Sequence, residues 1–338
     1  MQFFFDVRDI DCDTFQKRKK ATNELKVAAV FTRDADPIVS EPKARHALAS
    51  IANTTIDNIS SSDSPMTLSF FSVSAFRASL PSLCPESSPL GLKDMALADI
   101  SNTRILIVGG SSGMGLALAK HALGAGAEVI IVGRNEDKLQ RASTELQNPA
   151  LSTVAVDITQ EAQVAALFER VGRLDHIVST AADIEGAYEL LPALDLKAAQ
   201  RVVESKFYGP LLLAKYGAPK LSPKGSITFT SGIAAYRPSA RGSVVAAVNA
   251  ALEGLVRALA VELAPIRVNA VSPGWVDTSI WTFVAGDRKD ETLDAMAKRL
   301  PVGRVGQPED IADAVGYLMG NGFTTGTTLH VEGGHRLI

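Results

Sequence analysis

The sequence predicts an α/β fold in which helices cover both faces of a doubly wound, parallel β-sheet. One observation is the run "TRILIVGG" at 103–110, whose continuous apolar and β-branched residues are typical of a strand buried on both faces. Another is the regular alternation of such runs with longer helical segments from Thr103 onward. Short connections between these elements require right-handed crossovers, which make neighbouring strands parallel.

The same patterns predict each element in chain order. The first strand is followed by a helix rich in small and apolar residues, "GMGLALAKHALGAG". The strand "EVIIVG" precedes a charged helix, "NEDKLQRASTELQ", and the strand "STVAVD" precedes an amphipathic helix, "EAQVAALFERVG". The later strands, with helices between them, are "LDHIVST", "GSITFTS", "IRVNAVS" and "TTLHVEGG".

The first part of the chain has a different composition. Residues 1–100 include the Ser/Pro-rich stretch "SSSDSPMTLSFFSVSAFRASLPSLCPESSP" and show no sustained periodicity. We expect a poorly ordered N-terminal extension there, followed by a single α/β domain at 101–338. A transit peptide beginning near Met66 is the alternative, and Met95 could itself begin a complete domain.

Composition argues against several classes of function. The net charge is −3 and the isoelectric point is near 6.0, so nothing favours binding to nucleic acid or to an acidic membrane. Cys12 and Cys84 both lie in the first 100 residues and the histidines are scattered, so we expect no metal site. No apolar run reaches the roughly 18 residues that cross a bilayer. We therefore expect a cytoplasmic protein that acts on a small molecule.

The loop "GGSSGMG" after the first strand carries three glycines with separate expected roles. Gly109 permits a tight turn, Gly113 lets the backbone approach a pyrophosphate, and Gly115 lets the helix pack closely on the strand. The N-terminus of the helix then offers free N–H groups to phosphates. This strand–loop–helix context predicts dinucleotide binding and a Rossmann-type fold. The residues of the loop assigned to the same cofactor site are Ser111, Ser112 and Met114.

The end of the second strand favours NADP(H) as the dinucleotide. Proteins that prefer NAD usually carry an acid there to hold the ribose 2′-hydroxyl, but this chain has Gly133 and then Arg134. The guanidinium of Arg134 can pair with a 2′-phosphate, although a solvated arginine at a helix start is the alternative. Asp157 and Ile158, at the end of the third strand, are expected beside the adenine, and Asp157 could equally cap a helix.

Further stretches complete a recognisable order of motifs: "LDHIVSTAA", "SITFTSG", "RVNAVSPGWVDT", "GRVGQPEDIADAVGYL" and "GTTLHVEGGH". With the glycine loop they make the chain resemble the short-chain dehydrogenase/reductase family from about Asn102 to Leu337. The resemblance implies an NAD(P)-dependent oxidoreductase that forms dimers or tetramers. It also implies that Pro273, Gly274 and Thr278 line the nicotinamide amide.

The catalytic positions depart from that family. The resemblance implies an Asn–Ser–Tyr–Lys set, in which Ser231 is the expected serine, with one residue of slack in the alignment. The tyrosine and lysine positions fall on Val245 and Asn249, and the asparagine position falls on Lys206. Lysine and asparagine are thus exchanged between two helices. The pattern Tyr-x-x-x-Lys does occur in "YGAPK" at 216–220, but Pro219 indicates a helix end there.

The departure changes the expected chemistry, because valine can neither donate a proton nor orient a carbonyl. Lys206, facing Asn249, could polarise a substrate, bind ribose hydroxyls or donate a proton if burial lowers its pKa. A surface or ribose-contact lysine is the alternative. Tyr236 is a second possible proton donor, and Asp183 is a possible helix cap or substrate contact.

Two segments bear on substrate and assembly. The long connection "PGWVDTSIWTFVAGDRKDE" is expected to form a lid. Its aromatic residues Trp275, Trp281 and Phe283 favour an apolar or ring-containing substrate, although packing explains any one of them equally well. The helix "VVAAVNAALEGLVRALAVEL" has a broad apolar face, and in the family this helix forms a dimer interface.

Two functions therefore stay open at this stage. One is an atypical NADP(H)-dependent oxidoreductase, for example one that acts in specialised metabolism on a C=N⁺ bond, which needs no proton in the hydride step. The other is a cofactor-binding protein that catalyses a non-redox cyclisation or isomerisation, or senses NADPH.

Overall fold

The computed structural model describes residues 100–338. The predicted N-terminal extension, the possible transit peptide at Met66 and the possible start at Met95 lie outside the described residues. The boundary at residue 100 therefore stays a prediction.

A seven-stranded sheet forms the centre of the described part, and all its strand pairs are parallel. The strands are β1 Arg104–Val108, β2 Glu128–Gly133, β3 Leu151–Ala155, β4 Leu174–Ser179, β5 Leu221–Thr230, β6 Arg267–Pro273 and β7 Thr328–Val331. Their order is β3-β2-β1-β4-β5-β6-β7. The chain winds outward from β1 in one direction and then from β4 in the other, so the predicted doubly wound, Rossmann-type sheet is confirmed.

Nine α-helices connect the strands within residues 100–338. They are α1 Gly113–Gly124, α2 Glu136–Leu146, α3 Glu161–Val171, α4 Leu196–Val203, α5 Gly209–Gly217, α6 Ser243–Glu262, α7 Ile280–Ala285, α8 Lys289–Ala297 and α9 Pro308–Gly320. Helices α1, α2 and α9 share one apolar core with the sheet, while α3, α5 and α6 share the core on the other face.

Strand β1 shows why both faces are covered. Leu106 and Val108 pack into the core that includes α3, α5 and α6, whereas Ile105 and Ile107 pack into the core that includes α1, α2 and α9. Alternate side chains of a strand point to opposite faces, so an unbroken apolar strand needs a helix layer on each side.

Strand β5 begins at Leu221, earlier than the predicted "GSITFTS" at Gly225. Leu221 pairs with Leu174 of β4, and the register shifts between Leu174 and His176. Pro223 hides this first part of the strand from sequence analysis, because proline lacks an N–H and occurs inside sheets only at irregularities of this kind.

Within residues 100–338, helix α6 alone is long and apolar enough to cross a membrane, with 20 residues and a mean hydropathy of 1.7. The sequence predicted no such segment, because polar residues interrupt the apolar run without lowering its mean hydropathy far. In the fold the helix packs against β6 and buries Asn249 and Glu253. One face of this helix therefore belongs to the core of the domain.

The close approach of α1 to the end of β1 gives the first testable prediction. A Cβ at Gly115 would lie 2.3 Å from the carbonyl oxygen of Gly109, so Gly115→Ala forces the helix away from the strand. We expect a loss of about 1–3 kcal/mol in the free energy of unfolding. Denaturant unfolding measures it.

Gly124→Ala in the same helix is the matched control. No atom of residues 100–338 lies within 4 Å of a Cβ at this position, so alanine should leave stability unchanged or raise it by up to about 1 kcal/mol. Equal stability of the two variants would contradict the tight packing assigned to Gly115.

Candidate active site

A cleft of about 370 Å³ opens at the carboxyl ends of the strands. It lies where the sheet order reverses between β1 and β4, which is where doubly wound sheets bind ligands. Predicted cofactor residues that line it are Gly109, Ser111, Ser112, Gly113, Met114, Arg134, Asp157, Ile158 and Thr278.

The glycine loop forms the inner wall of this cleft. Gly109 has φ +84°, and a Cβ there would lie 2.7 Å from the hydroxyl of Thr180. Gly113 has φ +52° and a Cβ would meet only Thr278, at 3.4 Å, on the far side of the cleft. Gly115 does not line the cleft, because it packs against Gly109 as expected.

The N-terminus of α1 is suited to an anion. The first turn contains no acidic residue, and the hydroxyl of Ser112 at the N-cap makes no capping hydrogen bond. The backbone N–H groups of this turn and the positive end of the helix dipole therefore face the cleft without a competing carboxylate. These features fit the pyrophosphate of a dinucleotide.

The end of β2 forms a cationic corner of the cleft. Arg134 and Lys138 both line it, together with Asn135 at the N-cap of α2. One guanidinium nitrogen of Arg134 lies 2.9 Å from a carboxylate oxygen of Asp183, which follows β4. Sequence analysis missed Lys138. Its spacing of four residues from Arg134 indicates that the two side chains lie on the same side at the start of the helix.

The other predicted cofactor residues are placed as follows. The Oδ1 atom of Asp157 accepts hydrogen bonds from the backbone and hydroxyl of Thr159, so this carboxylate stabilises a turn as well as facing the cleft. Pro273 ends β6, and a Cβ at Gly274 would lie 2.6 Å from the Cα of Glu332. Neither Pro273 nor Gly274 lines the cleft, so their predicted contact with nicotinamide stays a prediction.

Lys206 lies in a turn of π-helix, Glu204–Tyr208, that joins α4 to α5. Such turns insert one extra residue into a helix and frequently occur at functional sites. The side chain is buried, and its Nζ donates a hydrogen bond of 3.3 Å to the carbonyl oxygen of Ser231. Its neighbour Ser205 lines the cleft.

Burial lowers the pKa of Lys206 to about 8, from its ordinary value of 10.5. Among residues 100–338, no carboxylate forms an ion pair with this ammonium group. Desolvation disfavours the charged form, and nothing nearby restores it. Lys206 can therefore give up a proton near neutral pH.

Asn249 approaches the same turn from α6. Its Nδ2 donates a hydrogen bond of 3.5 Å to the carbonyl oxygen of Gly232, while its buried Oδ1 has no partner within the described part of the chain. A Cβ at Gly232 would lie only 2.8 Å from this Nδ2, so glycine leaves the space that Asn249 occupies. Lys206 and Asn249 thus hold two successive carbonyl groups, those of Ser231 and Gly232. Their expected arrangement facing one another beneath the nicotinamide stays a prediction.

The hydroxyl of Ser231 turns to a different partner. It donates a 2.7 Å hydrogen bond to Glu253, a buried carboxylate one helical turn after Asn249. The hydroxyl of Tyr236 contacts the other oxygen of the same carboxylate, and burial together with this contact raises the pKa of Tyr236. A tyrosine with a raised pKa is a weaker acid, and the role of Tyr236 as proton donor stays a prediction.

None of the four residues predicted to act in catalysis, Ser231, Lys206, Asn249 and Tyr236, lines the cleft itself. The structure brings the first three together around Ser231–Gly232, and it joins Tyr236 to them only through Glu253. Glu253 was missed by sequence analysis. The signal was a charged residue on the buried face of an apolar helix.

Val245 belongs to a small apolar cluster. Ile184, Val202 and Val248 are buried with it, and Ile280 of the predicted lid packs against the same group. Ile280 also lines the cleft. The position at which the resemblance places a tyrosine is therefore enclosed mainly by apolar side chains, and Tyr188 packs against the same cluster.

The predicted lid folds into two helices, α7 and α8. The rings of Trp275 and Trp281 stack with centroids 4.3 Å apart, and Trp281 donates a hydrogen bond to the carbonyl of Val276. Trp275 also forms one wall of a second cavity of about 310 Å³ against α8. The tryptophans thus pack on one another, and the lid residues that line the cofactor cleft are Thr278, Ser279 and Ile280.

The stretch "YGAPK" takes no part in the site. Helix α5 ends at Gly217, and the hydroxyl of Tyr216 donates to Glu161 of α3. Lys220 pairs with Glu169, also on α3.

Comparison with known proteins identifies the family. The family model described as enoyl-(acyl carrier protein) reductase matches residues 108–336. Short-chain dehydrogenase/reductase ATR9 of Stachybotrys chlorohalonatus is 39% identical over 250 residues, which are 70% of this chain and 97% of that protein. The chain belongs to the short-chain dehydrogenase/reductase family.

Two solved structures of similar proteins extend this result. MalC Reductase/Diels-Alderase from Malbranchea aurantiaca has a TM-score of 0.67 and 34% identity, over 72% of this chain and all (100%) of that one. A small-chain dehydrogenase in complex with NADPH has a TM-score of 0.61 and 34% identity, over 70% of this chain and 100% of that one. In this short-chain dehydrogenase/reductase, the assignment of Val245 and Asn249 to the family's tyrosine and lysine positions stays a prediction.

The buried lysine gives a prediction about stability and pH. Above pH 8 native Lys206 loses its proton, while the unfolded chain keeps it to about pH 10.5, so the unfolded state then binds more protons. The penalty for burying the cation is therefore present below pH 8 and is lost as the pH rises. Lys206→Met should unfold at higher denaturant than the wild type at pH 7. The difference should shrink between pH 8 and 10, by at most about 1.4 kcal/mol per pH unit.

Lys215→Met is the control for this measurement. Lys215 is exposed on α5, and its hydrogen bond with Glu161 raises its pKa. The difference in stability between the wild type and Lys215→Met should therefore not show the change between pH 8 and 10 that is expected for Lys206→Met. A difference between wild type and Lys206→Met that is independent of pH would contradict the lowered pKa.

Proposed function

We propose that this protein is an NADP(H)-dependent oxidoreductase in which Lys206 takes over the part played elsewhere in the family by a tyrosine–lysine pair. The observation that carries the proposal is the buried ammonium group on the Ser231–Gly232 turn, beside a cleft built for a dinucleotide. Family membership supports the oxidoreductase class, and the similar structure in complex with NADPH supports the cofactor.

The choice of NADP(H) rests on charge at the end of β2. Arg134 and Lys138 provide two cations at the expected position of the adenosine ribose, and no acid ends the strand there to bind a 2′-hydroxyl. A guanidinium and an ammonium group suit a phosphate. The hydroxyl of Ser111 lines the same part of the cleft.

When bound, NADPH supplies a hydride to the substrate. The protein must bind and orient the cofactor and the substrate, and it must supply a proton. The turn at the start of α1 would hold the pyrophosphate, while Asp157 and Ile158 would border the adenine. Lys206 would supply positive charge, and its Nζ would supply the proton that Val245 cannot. A pKa of about 8 leaves most of the ammonium protonated at neutral pH yet able to release its proton.

The substrate is proposed to be apolar or ring-containing. Val245, Ile280 and their neighbours form an apolar wall close to the turn that holds Lys206, and they offer few partners to the hydroxyls of a sugar. A cyclic iminium group suits such a site, because it is already cationic and accepts hydride without a simultaneous proton. The similarity to ATR9 and MalC supports a place in specialised metabolism.

A second candidate function is a cyclisation that accompanies or replaces the reduction. The similarity to a solved structure described as a reductase and Diels–Alderase favours this candidate. An enclosed apolar wall with valine at position 245 is compatible with folding a flexible substrate onto itself. Sensing of NADPH without turnover is the limiting case of this alternative.

A homodimer or homotetramer is the proposed assembly, in the cytoplasm. Alanines 247, 250, 251 and 258 lie exposed along α6, which leaves a smooth apolar strip for a second copy of the helix. Within residues 100–338, no cluster of side chains is arranged to hold a metal ion.

The first test of this function is NADPH oxidation, followed by absorbance with a panel of cyclic imines and apolar ketones. With the ketones, Lys206→Met should lower kcat by about 10²–10⁴-fold because the proton donor is gone, whereas with cyclic iminium substrates, which need no proton in the hydride step, it should change kcat far less. The Kd for NADPH should change less than about twofold. In the wild type, kcat for the ketones should fall as the pH rises above about 8. Lys215→Met should match the wild type in kcat, in the Kd for NADPH and in the pH dependence of kcat.

Wild-type turnover of the ketones by Lys206→Met would remove the lysine from the mechanism. Product formed without equivalent loss of NADPH would favour the cyclisation candidate, and it is detected by measuring both in one reaction.

A further inference from the structure

The pair between Arg134 and Asp183 joins two parts of the cleft that are distant in sequence. Arg134 follows β2 and Asp183 follows β4, and β1 lies between these two strands. Strands two places apart are separated by about 10 Å, so the arginine side chain has to extend across the end of β1 to reach its partner. The nitrogen–oxygen distance is 2.9 Å, and both residues line the cleft.

The two partners differ in how firmly they are held. The side chain of Asp183 is only 14% exposed, and its backbone N–H donates a 2.9 Å hydrogen bond to Ser205 of the π-helical turn. The side chain of Arg134 is 56% exposed and has four rotatable bonds. The carboxylate is therefore the fixed partner and the guanidinium is the one that can change position.

We propose that Asp183 is a counter-ion that competes with the 2′-phosphate of NADPH for Arg134, and so sets the selectivity of this site for phosphorylated cofactor. The inference rests on the proposed NADP(H) function and deepens it. A guanidinium binds a phosphate best through two parallel hydrogen bonds. While a nitrogen of Arg134 is paired with Asp183, that nitrogen is not free to take part in such a pair of hydrogen bonds with the phosphate. A carboxylate left close to the phosphate also repels it.

The other carboxylates of the cleft do not have this role. Asp157 is engaged by Thr159, and Glu185 forms no ion pair with any residue of the range 100–338. Glu185 lies only two residues from Asp183 and lines the same cleft. Its substitution therefore removes an equal charge from nearly the same place without freeing Arg134.

The experiment measures Kd values for NADPH and NADH by calorimetry on the wild type, Asp183→Asn, Glu185→Gln, Arg134→Gln and the double variant at 134 and 183. Asp183→Asn should tighten NADPH binding by about three- to tenfold and change NADH binding less than about twofold. Glu185→Gln should change both by less than about twofold. In the Arg134→Gln background, Asp183→Asn should have no further effect, because the competition needs the arginine.

Adenosine 2′,5′-bisphosphate and 5′-AMP locate the effect within the cofactor. The gain in Asp183→Asn should appear with the bisphosphate and not with 5′-AMP. Binding of NADH shows that each variant is folded, and Asp183→Ser replaces Asp183→Asn if the latter fails that check.

Three results would overturn the inference: unchanged NADPH binding in Asp183→Asn, weakened NADPH binding in it, or an equal gain in Glu185→Gln. Failure of the wild type to bind either dinucleotide would instead overturn the proposed function as well, so the two failures are distinguishable.

Discussion

The structure beside the cleft is constrained by a buried lysine ammonium group that has no acidic partner among residues 100–338. Removing a cation from water is unfavourable unless hydrogen bonds or an opposite charge compensate, and Lys206 has one carbonyl oxygen at 3.3 Å. The fold holds it there because the π-helical turn points the residue inward and because Ser231 presents its carbonyl rather than its hydroxyl. That hydroxyl is occupied by Glu253. The carbonyl of the next residue, Gly232, is held by Asn249.

Cofactor binding and proton chemistry are assigned to neighbouring parts of the same edge of the sheet, where the parallel strands have their carboxyl ends. The loop after β1 and the cationic corner after β2 would hold the phosphates, whereas the lysine site is built from the turn after β5 and from helices α4 to α6. The π-helical turn connects the two regions, because Ser205 fixes the backbone of Asp183 in the cleft while Lys206 points to the turn after β5. A change in this turn would therefore affect both the cofactor cleft and the lysine site.

Much of the fold follows from the sequence. The unbroken apolar strands require both faces of the sheet to be covered by helices, which predicts a parallel sheet between two helix layers. Gly109 and Gly115 are explained by close contacts that leave no space for a Cβ. The family resemblance also placed Lys206 and Asn249 near one site, and their side chains hold the adjacent carbonyl groups of Ser231 and Gly232.

Other features depend on distances that a linear pattern does not contain. The partner of Arg134 is 49 residues away and is set by the path of the loop after β4. Tyr236 was a reasonable candidate acid by position, but the direction of its hydroxyl is set by Glu253, which lies 17 residues further along. The first residues of β5 were hidden by Pro223, since a bulge in the pairing with β4 tolerates a residue that ordinarily ends a strand.

The central claim concerns the protonation of one amine, and NMR of the protein carrying ¹³C-labelled lysine ε-carbons tests it most directly. The Lys206 signal is assigned by its absence from Lys206→Met and is followed from pH 6 to 11. The account predicts a midpoint at about 8. A midpoint near the ordinary value of 10.5 would show that the ammonium group is solvated or paired, and would contradict it.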